Sequence, residues 1–220
     1  MTGIPETITK SISDNQRFVL LTHIHPDGDA LGSMFGLADI LDDLGKDVFC
    51  FVEEPVSQLY AFLPGAGRAS SDLDALHDFV RQAHDKTAVI ALDSGDDNRL
   101  GRHKDVLLAI TPLVVIDHHK SHKEFGACRW VEPSCSSTGE MVYELAEALA
   151  LADAGDRRDD GSDSRRELDR HRGRARIGLE RAGQRVEGEL AGAPVGPDDG
   201  RFGGARPRRG VGGFHGASGG

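Results

Sequence analysis

The 220-residue sequence lacks long hydrophobic runs and a leader-like start, and both absences exclude classes of protein. No stretch of about 18 consecutive apolar residues occurs, so the sequence predicts no membrane span. The opening segment, MTGIPETITKSISD, has no basic stretch followed by an apolar core, so a secretory signal is not expected. We therefore expect a cytoplasmic protein that does not act at a membrane.

Paired cysteines and positive charge are also missing. The three cysteines, Cys50, Cys128 and Cys135, are odd in number and lack Cys-x-x-Cys spacing, which predicts reduced thiols rather than disulfides or a zinc knuckle. The formal net charge is −10, so no overall positive field draws long nucleic acids to the surface. Binding to long duplex nucleic acid is therefore not expected.

The composition changes abruptly near residue 150. Residues 151–220 hold 17 of the 28 glycines and 14 arginines, but no Lys, Thr, Tyr, Trp, Cys, Met or Asn. Their charge is +2, whereas residues 1–150 carry −12. A segment with so few large apolar side chains cannot offset the entropy lost on folding. We expect a folded domain at 1–150 followed by a poorly ordered Gly/Arg-rich tail at 151–220.

Three interpretations of this tail stay open. The first is a disordered Gly/Arg region that could bind RNA, and the second is a small folded domain. The third is the out-of-frame translation of a GC-rich gene. The lack of hydrophobic periodicity argues against a folded domain. The Arg, Gly, Ala and Asp bias without lysine favours the third interpretation, in which the chain is truncated or frameshifted after about residue 150.

Hydrophobic patterning over the first 150 residues predicts alternating strands and helices. Continuous apolar runs are typical of buried strands and occur at 17–23, 47–52, 87–93 and 112–117. Apolar residues at helical spacing predict helices at 7–14, 30–44, 71–83, 103–110 and 138–150. Ser71 as an N-cap, Gly45 as a C-cap and a capping box of Ser137 and Glu140 support these helix ends. The alternation predicts an α/β fold, a parallel sheet with flanking helices.

Polar clusters follow three of the four predicted strands. They lie at 23–29 after the first strand, at 93–96 after the third and at 117–119 after the fourth. Each cluster alone is typical of a turn or a helix cap, and Asp29 could simply cap the helix at 30–44. Because ligands bind outside the carboxyl ends of parallel strands, the three clusters are expected to converge on one edge of the sheet.

At least four carboxylates and three imidazoles would meet at that edge. Neighbouring carboxylates repel one another unless cations neutralise them. Mixed carboxylate and imidazole ligands suit Mn²⁺, Mg²⁺ or Fe²⁺. With this many ligands, two divalent ions about 3.5–4 Å apart are expected, an arrangement that hydrolyses phosphoesters.

Four short motifs occur in order along residues 10–150. They are H-x-x-x-D-x-D at 23–29 followed by ALGS, then ALDSGD at 91–96, VIDHHK at 115–120 and SSTGE at 136–140. This series resembles the DHH phosphoesterase superfamily. The resemblance is strongest to its bacterial oligoribonuclease and 3′-phosphoadenosine 5′-phosphate phosphatase group, which is related to RecJ-type exonucleases.

The resemblance implies a metal-ligand role for five residues. His23 and Asp27 correspond to ligands of a first ion. Asp29 and His118 correspond to ligands of a second ion, and Asp93 corresponds to the carboxylate that bridges both. Two divalent ions are implied, with Mn²⁺ favoured and Mg²⁺ as the alternative.

The same resemblance implies roles near the substrate. His119 corresponds to a residue that contacts the scissile phosphate or the leaving group, and Asp117 is expected to orient the histidine pair. Ser136, Ser137 and Gly139 match a short substrate-binding loop near the site.

The implied function is hydrolysis of short oligoribonucleotides or of 3′-phosphoadenosine 5′-phosphate by a hydroxide that two metal ions activate. A manganese-dependent pyrophosphatase-like hydrolase is an alternative, and so is a non-catalytic remnant that only binds metal or nucleotide. Residues 151–220 lack the T-D-T-G-like fourth motif and the C-terminal substrate-binding domain of the family, so impaired activity is expected. The oligomeric state, including a homodimer, stays open.

Overall fold

The computed structural model describes residues 3–82 and 86–156, with side chains described as far as residue 150. Within these residues one sheet of six parallel strands has the order β3-β2-β1-β4-β5-β6. The strands are β1 Arg17–Thr22, β2 Asp47–Phe51, β3 Ala69–Ser70, β4 Thr87–Leu92, β5 Leu113–Asp117 and β6 Cys128–Val131. The helices are α1 Glu6–Asp14, α2 Gly28–Asp43, α3 Leu73–Arg81, α4 Lys104–Ala109 and α5 Thr138–Asp156.

The strand order reverses at the centre of the sheet, between β1 and β4. Leu20 of β1 lies opposite Cys50 of β2 on one side and Ile90 of β4 on the other. Every residue of β4 and β5 is buried, as expected for apolar strands that helices cover on both faces. A switch point of this kind opens a crevice outside the carboxyl ends of the central strands.

Alternation along the strands divides the hydrophobic core between the two faces of the sheet. In β1, Phe18 and Leu20 belong to the core that includes α1, α2 and α5, whereas Val19 and Leu21 belong to the core that includes α3 and α4. Burying one such side chain contributes about 1.5–3 kcal/mol. Helix α2 packs against both the sheet and α5, and this places the first residues of α5 beside the first turn of α2.

The α/β class predicted from the sequence is confirmed, and all four predicted strands are present. Two further strands, β3 and β6, were not predicted. β3 has only two residues, and β6 has four residues that include an exposed Arg129, so neither gives a clear apolar run. Most of the predicted tail, residues 157–220, lies outside the described residues.

The helix ends agree with the sequence prediction in part. Gly45 follows α2 with a φ of +71°, as a C-cap glycine requires. The N-cap of α3 is Asp72 and not Ser71, because the Asp72 carboxylate accepts hydrogen bonds from the amides of Asp74 and Ala75. Helix α5 continues to Asp156, beyond the predicted end at 150. Among the described helices none is long and apolar enough to span a bilayer.

Candidate metal centre

The crevice at the switch point collects the polar clusters from three strands. His23 follows β1, Asp93 follows β4, and β5 ends in Asp117, after which His118 and His119 enter the crevice. Helix α2 begins at the same place, and its first turn adds two more of the predicted ligands, Asp27 and Asp29.

Asp93 lies at the centre of the site and is only 2% exposed. Its φ of +57° is in the left-handed region, which a non-glycine residue occupies at some cost and which is frequent at functional sites. Burial raises the pKa of the Asp93 carboxyl, but the nearby His23 imidazole and the hydrogen bond from Thr138 outweigh burial and lower the pKa below its usual value. The carboxylate is therefore held ionised at the point where the clusters meet.

A first cluster combines His23, Asp27 and Asp93, whose nearest ligand atoms all lie within 4.8 Å of one another. His23 Nδ1 lies 2.8 Å from the carbonyl oxygen of Ile24, so Nδ1 carries the hydrogen and Nε2 faces Asp93 Oδ2 at 3.6 Å. Asp27 caps α2 through Oδ1, which accepts the amide hydrogen of Ala30 at 3.0 Å, and its second oxygen is available to a cation.

A second cluster combines Asp29, Asp93 and His118. His118 Nε2 lies 3.6 Å from Asp93 Oδ1 and 3.7 Å from Asp29 Oδ2, and Nδ1 lies 3.4 Å from the carbonyl oxygen of Cys135. As in His23, the ring nitrogen that points away from the carboxylates lies near a backbone carbonyl. Fixing an imidazole in this way is typical of histidines that bind metals.

His119 lies beside the second cluster and is not a ligand through the nitrogen that faces Asp93. Its Nδ1 lies 3.6 Å from Asp93 Oδ1 but only 2.7 Å from Asp117 Oδ1. Because the Nδ1 hydrogen is donated to Asp117, Nε2 is the ring nitrogen left for other partners. Asp93, His118 and His119 also bring ligand atoms within 4.8 Å of one another, so the separate role expected for His119 stays a prediction.

Asp29 links α2 to the N-terminus of α5. Its Oδ1 accepts the amide hydrogen of Gly139, and its Oδ2 accepts that of Thr138, both at 2.9 Å. Ser33 donates a further hydrogen bond to Oδ1 at 3.3 Å. Burial and the nearby charge of Asp93 raise the pKa of the Asp29 carboxyl. Oδ2 accepts only one of these hydrogen bonds, so it still has a second lone pair that a cation can use.

The separations within both clusters fit a divalent ion better than direct hydrogen bonds. The distances of 3.6 and 3.7 Å between imidazole and carboxylate atoms exceed those of good hydrogen bonds. Two ligands that each lie about 2.1 Å from one ion are about 3.0–3.5 Å apart at tetrahedral or octahedral angles. The donor set of carboxylate oxygens and imidazole nitrogens also suits a divalent ion.

Comparison with known proteins agrees with the motif series. A family model described as the DHH family, N-terminal domain, matches residues 17–168. The chain belongs to the DHH family. The DHH triplet itself is Asp117, His118 and His119.

Two curated relatives are both named bifunctional oligoribonuclease and PAP phosphatase NrnA. The protein from Thermus thermophilus is 32% identical over 133 residues, which cover 60% of this chain and 37% of the relative. The protein from Bacillus subtilis is 31% identical over 140 residues, which cover 63% of this chain and 40% of the relative. The chain thus spans about two fifths of the length of these DHH relatives.

A solved structure has the same fold. The crystal structure of an exopolyphosphatase-related protein from Bacteroides fragilis matches with a TM-score of 0.59 and 22% identity, over 83% of this chain and 59% of that chain. At this level of identity the likeness concerns the fold alone.

The predicted substrate loop of the DHH domain lies at the start of α5. Ser137 Oγ accepts the amide hydrogen of Glu140, so one half of the predicted capping box is present. The other half differs, because Glu140 Oε2 accepts hydrogen bonds from the amide and the hydroxyl of Ser136 rather than from the Ser137 amide. These bonds to Ser136 lower the pKa of the Glu140 carboxyl. Gly139 is placed by its bond to Asp29, which leaves Ser136 as the exposed member of the loop.

Two residues of the site were missed by reasoning from the sequence. Thr138 is fully buried, and its hydroxyl donates to Asp93 Oδ1 at 2.9 Å while its amide donates to Asp29. His122 donates to Asp117 Oδ2 at 2.7 Å. Thr138 stands within SSTGE and His122 stands five residues after Asp117, but neither spacing indicates a contact with a site carboxylate.

A separate group of Cys135, Glu140 and Glu144 also brings ligand atoms within 4.8 Å of one another. Burial and the neighbouring carboxylates raise the pKa of the Cys135 thiol, which disfavours the thiolate that a metal requires. Glu140 is already bound to Ser136. This group is therefore a weaker candidate than the two clusters around Asp93.

Proposed function

We propose that the chain is a metal-dependent phosphoesterase that hydrolyses short oligoribonucleotides, 3′-phosphoadenosine 5′-phosphate, or both. The observation that carries the proposal is the pair of histidine–carboxylate clusters that share the buried Asp93, with separations of 3.6 and 3.7 Å. The named activities of the NrnA relatives from Thermus thermophilus and Bacillus subtilis support the substrate class.

His23, Asp27 and Asp93 would hold one divalent ion, and Asp29, Asp93 and His118 would hold a second. Bound divalent ions would supply a nucleophile derived from water and would neutralise charge on the phosphate. We expect Mn²⁺, with Mg²⁺ as the alternative, because both accept mixed oxygen and nitrogen ligands.

His119 and Asp117 would act on the substrate side of the site. Asp117 is fully buried and accepts the Nδ1 hydrogen of His119 at 2.7 Å, which fixes the orientation of the imidazole. The free Nε2 of this partly exposed ring is suited to holding a proton near the leaving oxygen. The exposed Ser136, together with Ser137 and Gly139, would line the path of the substrate at the start of α5.

A non-catalytic role is the second candidate, and the lack of a T-D-T-G-like fourth motif in residues 151–220 favours it. The chain covers 37% and 40% of the two NrnA relatives, so most of each relative lies beyond the matched region. In that case the chain binds metal or nucleotide without turnover.

Hydrolysis of three substrates by the purified chain tests the proposal. Dinucleotide RNA, 3′-phosphoadenosine 5′-phosphate and pyrophosphate are each incubated with Mn²⁺ and with excess chelator. Manganese-dependent cleavage of either nucleotide substrate, lost in Asp93→Asn and kept in the surface control His77→Asn, supports the phosphoesterase. Cleavage of pyrophosphate alone supports the pyrophosphatase-like alternative, and metal binding without cleavage of any substrate supports the remnant.

A further inference from the structure

One buried carboxylate in the crevice joins two imidazoles. Asp117 is fully buried, and each of its oxygens faces one Nδ1 atom. Oδ1 lies 2.7 Å from His119 and Oδ2 lies 2.7 Å from His122. Both distances are in the range of short, charge-assisted hydrogen bonds. A carboxylate can only accept, so Nδ1 carries the hydrogen in both rings.

His122 makes no other described polar contact through its ring. Its side chain is 7% exposed, and Nε2 has no hydrogen-bond partner among the described residues. The ring stacks on Phe125 with centroids 5.6 Å apart and an angle of 22° between planes. Among the described residues, the polar contact of the His122 ring is therefore with Asp117 alone.

The backbone around these residues leaves Asp117 little room to move. The amide of His122 donates to the carbonyl of His119, and the amide of Lys123 donates to the carbonyl of Gly95 at 2.7 Å. A Cβ atom on Gly95 would lie 3.3 Å from His119 Cβ and 3.4 Å from Asp117 Oδ2, so this glycine lets the loop approach closely. Without His122, the Oδ2 atom of the buried Asp117 carboxylate would lose its described hydrogen-bond donor.

We propose that His122 is a positioning residue that fixes the Asp117 carboxylate, so that Asp117 in turn holds His119 with Nδ1 protonated and Nε2 free for the phosphate. The proposed role of His119 rests on the proposed phosphoesterase function, whereas the link from His122 through Asp117 to His119 does not. Loss of a partner of this kind typically costs about ten- to a hundredfold in activity.

Two substitutions of His122 separate a hydrogen-bond role from a packing role. In His122→Asn the side-chain amide nitrogen takes a position close to that of Nδ1 and can still donate to Asp117. In His122→Leu the volume is similar but the donor is missing. A third variant, His122→Phe, keeps the ring stack on Phe125 and also lacks the donor, and it replaces the leucine variant if the latter does not fold.

The first readout does not need catalysis. The full chain with ¹⁵N-labelled histidine is examined by NMR for the low-field Nδ1 hydrogens, and the His119 signal is identified by its absence in His119→Gln. We expect this signal to be retained in His122→Asn and to be shifted or lost in His122→Leu or His122→Phe. An unchanged His119 signal in the variants without a donor would overturn the proposal.

The second readout is steady-state hydrolysis of the RNA dinucleotide. We expect kcat to fall about tenfold or more in His122→Leu and to recover in His122→Asn, with KM and the Mn²⁺ affinity unchanged. Equal losses in the asparagine and leucine variants would show a packing role and overturn the proposal. If the wild-type chain does not turn over, the phosphoesterase proposal fails, and the NMR result still decides the role of His122.

Discussion

The two clusters around Asp93 are built from different parts of the molecule. The first uses His23, which is 5% exposed at the end of β1, and Asp27, which caps α2. His23 and Asp27 are therefore positioned by β1 and by α2, the helix that follows this strand in the chain. The second uses His118, which is more exposed than His23, and Asp29, which is held by the amides of Thr138 and Gly139 at the start of α5.

This difference makes the second cluster depend on long-range packing. Asp29 and Gly139 are 110 residues apart in the chain, whereas Asp27 and Ala30 are three residues apart. A change that shifts α5 relative to α2 would move the Asp29 carboxylate directly, whereas the described contact of the first cluster with α5 is the Thr138 hydroxyl bound to the shared Asp93. We therefore expect the first cluster to be the tighter and more robust metal site.

The largest effect is expected from the residue that the clusters share. Asp93→Asn removes the charge from both clusters, and asparagine tolerates the left-handed backbone at this position. We expect the affinity for Mn²⁺ to fall at least about a hundredfold at both sites, as measured by calorimetry. His119→Asn is the comparison variant and should retain Mn²⁺ binding. Equal losses in the two variants would contradict the assigned roles.

Separate substitutions of the two histidines should distinguish the clusters. The wild-type chain should bind two Mn²⁺ ions with unequal affinities, because Asp29 of the second cluster already accepts three hydrogen bonds. We expect His23→Asn to remove the tighter binding phase and His118→Asn to remove the weaker one. Calorimetric titration of both variants measures this, and loss of the same phase in both would refute the separation.

A smaller effect is expected at Thr138, which bonds to a carboxylate of each cluster. Thr138→Val keeps the shape of the buried side chain but removes the hydroxyl that donates to Asp93. The hydroxyl bonds to Asp93 Oδ1, which faces His118, whereas Oδ2 faces His23. We therefore expect about tenfold weaker binding of the second ion and a smaller change at the first. Thr138→Ser keeps the donor and should restore the affinity, so an equally weak serine variant would point to packing instead.

The smallest effect concerns the loop that begins α5 and is expected to depend on pH. Hydrogen bonds from Ser136 lower the pKa of Glu140 in the folded state, so they stabilise the fold above the unfolded pKa of about 4.3. This contribution is lost as the pH falls through the folded pKa. Glu140→Gln should therefore lower Tm slightly at pH 7, and the difference from wild type should disappear in acid. Melting curves recorded by circular dichroism across this range measure it, and a constant difference would contradict the assignment.

The sequence by itself determined the parts of the site that neighbouring residues encode. Apolar runs predicted the strands that end before His23, before Asp93 and at Asp117, because burial of a strand on both faces requires a continuous apolar segment. The order of the motifs also identified the DHH family, and the match to residues 17–168 agrees. The expected convergence of the clusters followed from the parallel arrangement of the strands.

Only the tertiary structure decided how the site residues are held. Thr138 reaches Asp93 across 45 residues, and Asp29 reaches the amides of α5 across more than 100. The contact between His122 and Asp117 spans five residues but depends on a loop pinned to Gly95. Local periodicity predicts which face of an element is buried, but not which polar atoms meet once helices cross over the sheet. Those contacts are fixed by the packing of α2 against α5 and by the turn after β5. In that turn the buried Asp117 carboxylate requires hydrogen-bond donors, which His119 and His122 supply.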